Sequence, residues 1–178
     1  MNLSNLLNGC TGAGRLALIG MIMLMCGCRS LIFDPRGHLV PEEKWIAVPE
    51  TGAETGVFEN EDLTITYKMV RNSGELRVLG EIRFADRISK NFPTIQYFHL
   101  GALLLNDQGR IIEISNLASV AFYKTQYATI PDYPLVFNTV LRVVGNTRFI
   151  AFQYTGRGLD MGDPEGGGTM DFWEYPVY

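Results

Sequence analysis

Cysteine is scarce in this 178-residue chain: three occur, at positions 10, 26 and 28, and none follows. Residues 29–178 therefore have neither a disulfide staple nor a thiol nucleophile, and their stability must come from an apolar core. Histidine is equally sparse, with only His38 and His99. No His-x-Glu, His-Glu-x-x-His or Gly-x-Ser-x-Gly spacing occurs, which excludes the commoner zinc and serine-nucleophile sites. Charged residues make up 19% of the chain, and the 15 Lys and Arg are outnumbered by 19 Asp and Glu, for a net charge of −4. With no basic surplus to neutralise phosphates, nucleic acid is not an expected partner. What the chain does have is 47% hydrophobic and 11% aromatic residues. That is enough for one packed domain and excludes a disordered polymer.

Long hydrophobic runs are also missing. The uncharged run Leu16–Cys26 follows Arg15, the only charged residue among the first 28. Crossing a bilayer takes roughly 20 apolar residues, so this run has the layout of a secretory leader rather than of a permanent span. It closes on Leu24, Met25, Cys26, Gly27 and Cys28, which resembles the lipobox of bacterial lipoproteins. Met25 takes the apolar place three before the acylated cysteine, Gly27 the small place directly before it, and Cys28 the place of the cysteine itself. Cys26 would put bulky Met25 beside the cut, and Cys10 has no apolar core before it. A leader cut elsewhere, or a buried core helix, is the alternative. The resemblance implies removal of residues 1–27, fatty acylation of Cys28 with palmitate-type chains, and membrane contact through that lipid. Because Arg29 rather than Asp follows, it also points to the outer membrane, facing the periplasm. Two or three acyl chains anchor stably where a single one does not.

Residues 28–62 carry prolines at 35, 41 and 49 among scattered acidic residues and read as a tether. Within it, Trp45, Ile46 and Val48 are expected to dock on the domain as an edge strand or covering segment; a surface ligand platform is the sharper alternative. From Leu63 the period becomes two, the pattern of half-buried strands. Leu63, Ile65, Tyr67 and Met69 share one face, and after a turn at Arg71–Gly74 so do Leu76, Val78, Gly80, Ile82 and Phe84, predicting a hairpin. Thr94–Leu105 is apolar on both faces, as a central strand covered on both sides would be. Asn106–Gly109 turns it back into Arg110–Ser115. Asn116–Tyr127 is expected to be irregular or one helical turn. Leu135–Val144 and Arg148–Thr155 are expected to form a last hairpin around Gly145–Thr147. The whole predicts an all-β domain over 63–155, an antiparallel immunoglobulin-like sandwich of six or seven strands, with a small barrel as the alternative. Val78 to Ile82, followed by Leu103–Ile112 with its Asp107-Gln108-Gly109 turn, resembles the FxLYD-type extracytoplasmic domains, with Leu103 in place of Phe and Asn106 in place of Tyr. That resemblance implies an interaction module and no reaction.

Candidate chemistry is thin. His99, in phase with Ile95, Tyr97 and Leu103, is expected to be a structural core histidine. Gly156, Gly158 and Gly162 lack the spacing of a dinucleotide loop. Asp160, Asp163 and Glu165 lack the alternation of an EF-hand, and a glycosidase-like carboxylate pair is not excluded by counting. Residues 156–178 form a Gly-rich loop and an aromatic tail in which Phe172, Trp173, Tyr175 and Tyr178 are costly to leave in water. The tail is expected either to fold back and close an edge of the sandwich, with Trp173 as anchor, or to offer these four aromatics to an envelope protein. The expected function is a lipid-anchored, non-catalytic interaction or assembly module without metal or cofactor. The alternatives are an envelope binding protein for a small molecule or glycan, using an aromatic cleft near Tyr97, Phe98 or Trp173, and a hydrolase.

Overall fold

A computed structural model describes residues 34–92, 94–121, 128–129, 134–143, 145–160 and 168–178, and Pro35–Tyr178 form one compact unit. Its strands are β1 (Ile46–Ala47), β2 (Gly52–Glu59), β3 (Leu63–Asn72), β4 (Glu75–Phe84), β5 (Thr94–Leu105), β6 (Ile111–Ala121), β7 (Ala128–Thr129), β8 (Leu135–Arg142), β9 (Phe149–Leu159) and β10 (Thr169–Glu174). A four-residue helix, α1 (Asp86–Ser89), follows β4. One sheet runs β2-β3-β4-β8, and the other runs β9-β5-β6 with β1 and β10 both paired to β9. Every pairing is antiparallel. The two antiparallel sheets pack on each other as an all-β sandwich.

The period-two segments become strands because each buries one face. Leu63, Ile65, Tyr67 and Met69 of β3 are all buried, as are Leu76, Val78 and Ile82 of β4. The β3–β4 turn places Ser73 at φ 37° and Gly74 at φ 93°, the paired positive values that a two-residue hairpin loop requires. Between the sheets these side chains meet Phe98, Leu100 and Leu104 of β5, Phe137 and Leu141 of β8, and Ile150, Phe152 and Tyr154 of β9.

The expected tether is corrected for its described part. From Pro35 the chain belongs to the folded unit, Gly52–Glu59 pairs along β3, and Val40 and Val48 are buried. Residues 37–40 hydrogen-bond to the β5–β6 region: Gly37 N donates to Ile111 O at 2.8 Å, and Val40 N to Gly109 O at 3.0 Å. Trp45 Nε1 donates to Val40 O at 2.9 Å, and its ring lies 4.8 Å from that of Phe149. This strap, with Val177, covers Leu103, Leu105, Ile111 and Ala151 on the outer side of the second sheet. The cover is the physical reason for β5 being apolar on both faces. Trp45, Ile46 and Val48 thus dock on the domain: Ile46 pairs with Ile150 as part of the short strand β1, and Trp45 and Val48 pack beside it.

Two further expectations are corrected. Asn116–Ala121 continues strand β6 instead of turning helical; residues 122–127 lie outside the described residues. β8 and β9 do not pair as a hairpin: β8 adds to β4 and β9 to β5. Two neighbouring strands of opposite direction can close a hairpin or step between sheets, and periodicity alone does not separate these.

One buried polar network ties the ends of the elements together. Asp62 is 4% exposed. Its carboxylate accepts from Tyr154 Oη at 2.7 Å and pairs with Arg87. Asn60 Nδ2 donates to Tyr154 Oη at 2.7 Å and to Glu174 Oε2 at 3.2 Å. Burial, and then the bond to Asp62, push the Tyr154 phenol far above its ordinary value of 10.0; burial and Glu54 raise Tyr67 as well. A raised folded-state value means the contribution is whole below the unfolded value and is lost as pH rises through the folded one. Unfolding free energy should therefore decline as pH climbs past about 10. Tyr154→Phe should flatten that decline in urea titrations read by circular dichroism, and an unchanged alkaline slope would contradict the assignment.

Candidate functional site

The strap leaves half of the outer face of the β9-β5-β6 sheet uncovered. There β5 presents Tyr97, His99 and Gly101, β9 presents Gln153 and Thr155, and β10 presents Asp171 and Trp173. A concave site of about 390 Å³ lies on this face, lined among others by His99, Gly101, Asn116, Gln153, Trp173 and Tyr175. The β5–β6 register shifts between Leu100 and Gly101, and such a bulge re-aims the side chains beside it. Gly101 is the floor: a Cβ there would stand 3.0 Å from Gln153 Nε2 and 3.3 Å from Ser115 O. Gln153 lies flat across it, and its Oε1 is buried with no hydrogen-bond partner among the described residues.

Beside the floor runs a short relay. Ser119 Oγ donates to Asn116 Oδ1 at 3.1 Å and lies 3.0 Å from His99 Nδ1. Ser119 thereby links the Asn116 amide to the His99 ring. The rim is clamped: Arg157 reaches Asp171 through Nε at 2.5 Å and Nη2 at 2.8 Å, and its guanidinium sits 5.8 Å from the Tyr97 ring centre. The Arg157 hydrogen bond holds the Asp171 carboxyl below its usual range.

The aromatic tail folds back as β10, register-paired to β9 from Thr169↔Leu159 to Glu174↔Tyr154. Its anchor, however, is Phe172 and not Trp173. Phe172 is 2% exposed. Its ring stacks 6.2 Å from Phe98 and meets Phe84 at 5.8 Å. Gly156 makes room for it, since a Cβ there would lie 2.4 Å from the Phe172 ring. Strand alternation then forces Trp173 outward, 65% exposed, with Tyr175 at 43% and Tyr178 at 80%. Of the four expected partner-binding aromatics, Trp173 and Tyr175 meet at the site. Tyr178 is tied elsewhere: its N donates to Leu39 O at 3.1 Å, and its O is 3.1 Å from His38 Nδ1. Phe172 faces the core.

His99 is exposed, so the expected core histidine is corrected. Phe98 is buried rather than at a cleft. Gly156 and Gly158 lie inside β9 and not in a loop. Cys28, with Cys10 and Cys26, lies outside the described residues, as do Gly162, Asp163 and Glu165. Among the described residues no group of three or more His, Cys, Asp or Glu converges, and no helix is long and apolar enough to cross a membrane. Gln153, Asn116 and Ser119 were not singled out from sequence. The available signal was Gly101, a lone glycine inside an apolar strand, which marks a bulge or a close approach. What the site offers is apolar ring faces beside amides and hydroxyls, a binding chemistry. No protein-family model, curated protein or solved structure matches the chain.

Proposed function

We propose that this protein is a bacterial envelope lipoprotein, held to the outer membrane through acylated Cys28, whose sandwich is a non-catalytic binding module for another component of the envelope. The observation that carries the binding role is the presentation of Trp173. A large ring, 65% exposed, stands beside a concave site on a strand paired along its length to β9 and next to Phe172, which is locked in the core. Exposed aromatics on a rigid scaffold are typical binding anchors, since little side-chain entropy is lost when they are covered. The lipobox resemblance of Met25, Gly27 and Cys28 supports the address, and an acyl anchor leaves the sandwich to supply the recognition. The envelope protein expected from sequence as partner is one form such a component takes.

Mass spectrometry of native material should find the chain beginning at Cys28 and carrying fatty acid, and Cys28→Ala should release it from membranes. A residue 28 without lipid, or a leader still attached, would overturn the address. The mature chain with Cys28→Ala should still co-sediment with envelope fragments, and Trp173→Ala should abolish that retention. Retention indifferent to Trp173 would overturn the binding role of this face.

A further inference from the structure

We propose that the uncovered half of this sheet face is a subsite for a ring of a neutral oligosaccharide, an inference that rests on the binding-module reading and names its ligand. The first requirement comes from the lining, where Gln153, Ser115 and Thr155 bring an amide and hydroxyls to the hollow. A complementary ligand must therefore carry hydrogen-bonding groups of its own. The second comes from Trp173, whose exposed indole is matched by a flat apolar face of the kind that the axial C–H groups of a pyranose present. One molecule with an apolar face and hydroxyls around its edge answers both.

The rest of the lining narrows the class. Asn116, Ser115 and Thr155 carry amides and hydroxyls, groups that both donate and accept, as sugar hydroxyls do. His99 adds its second ring nitrogen, Nε2, beside the one that meets Ser119. None of the residues lining the hollow itself is Asp, Glu, Lys or Arg, and the charges at its rim, Arg157 and Asp171, are paired with each other. A phosphorylated sugar, an anionic lipid headgroup or a charged peptide would lose hydration there without gaining a counter-charge. The hollow lies over β5, which is paired on both sides, so its floor offers no free strand backbone. About 390 Å³ is at the small end of the roughly 300–1,000 Å³ typical of ligand pockets, suited to a ring or two of a chain that continues into solvent.

The test is calorimetric titration of the mature chain, Cys28→Ala, with tetra-N-acetylchitotetraose and separately with cellotetraose. At least one should bind saturably. Trp173→Ala should weaken that binding by at least roughly tenfold, the size expected of a hot-spot aromatic, and Gln153→Leu should weaken it without lowering the melting temperature. Val136→Ala, on the opposite sheet and 74% exposed, should bind as the parent does. Binding of neither sugar, or equal binding by the Trp173 variant, overturns the assignment. If envelope fragments are still retained in that case, the module stands and only its ligand class is wrong; if retention fails too, both fall.

Discussion

Phe172→Ala is expected to destabilise the domain by about 3–4 kcal/mol, the cost of emptying a buried phenylalanine site, while Trp173→Ala one residue later should stay within about 0.5 kcal/mol. The contrast follows from phase. Phe172 fills the space over Gly156 and contacts the rings of Phe98, Phe84 and Tyr154. None of these neighbours can collapse far, because each belongs to a paired strand, so the lost transfer energy and the residual cavity add. Trp173 projects outward, and truncating it removes surface from water. Urea melts of the two variants measure the difference. Equal losses would mean that β10 is held by its backbone or by Trp173, and the inward phase assigned to Phe172 would be wrong. The same pair protects the binding test, since a Trp173 variant that folds normally can lose affinity only through the site.

Asp62→Ala should cost about 3 kcal/mol, within the range for removing one partner of a buried, hydrogen-bonded charge pair. The carboxylate is the acceptor on which Tyr154 and Arg87 converge, and its loss leaves the Tyr154 proton without its acceptor in the core. Arg87 is about 40% exposed and can turn to water, so Arg87→Ala should cost less than Asp62→Ala. Tyr154→Phe removes the donor along with its need for a partner and should cost about 1 kcal/mol, a typical single hydrogen bond. The double variant of Asp62 and Tyr154 should be less destabilised than the sum of the two, with a coupling of about 1 kcal/mol or more for groups in one network. Additive losses would show that the two residues act separately.

Legibility from sequence followed the range of the interactions. The β3–β4 hairpin is local: alternation sets its buried faces, and Ser73-Gly74 sets its turn. The central role of Thr94–Leu105 was also legible, because a strand apolar on both faces must be covered twice. What covers it was not. The strap from Pro35 to Trp45 looks like a tether because its residues lack a period, yet Val40 and Trp45 bury against β5 and β9 through non-local contacts that no pattern within the segment records. The proposed binding face was legible only as an aromatic excess near the C-terminus and as the lone Gly101 inside an apolar strand. Which ring anchors and which is displayed depends on the phase of β10 against β9, and a short strand with apolar residues at Met170, Phe172 and Trp173 permits either phase.

By itself the amino-acid sequence determined an all-β domain, its early hairpin and its long central strand; each of these follows from spacing between near neighbours. Only the tertiary structure decided that β8 and β9 belong to different sheets, that Phe172 turns in and Trp173 out, and that Gly101, Gln153 and Asn116 share one hollow. Those outcomes depend on which strand lies beside which. That is set by the shape of the core as a whole, where Gly156 accepts one ring and Gly101 leaves the floor on which Gln153 lies.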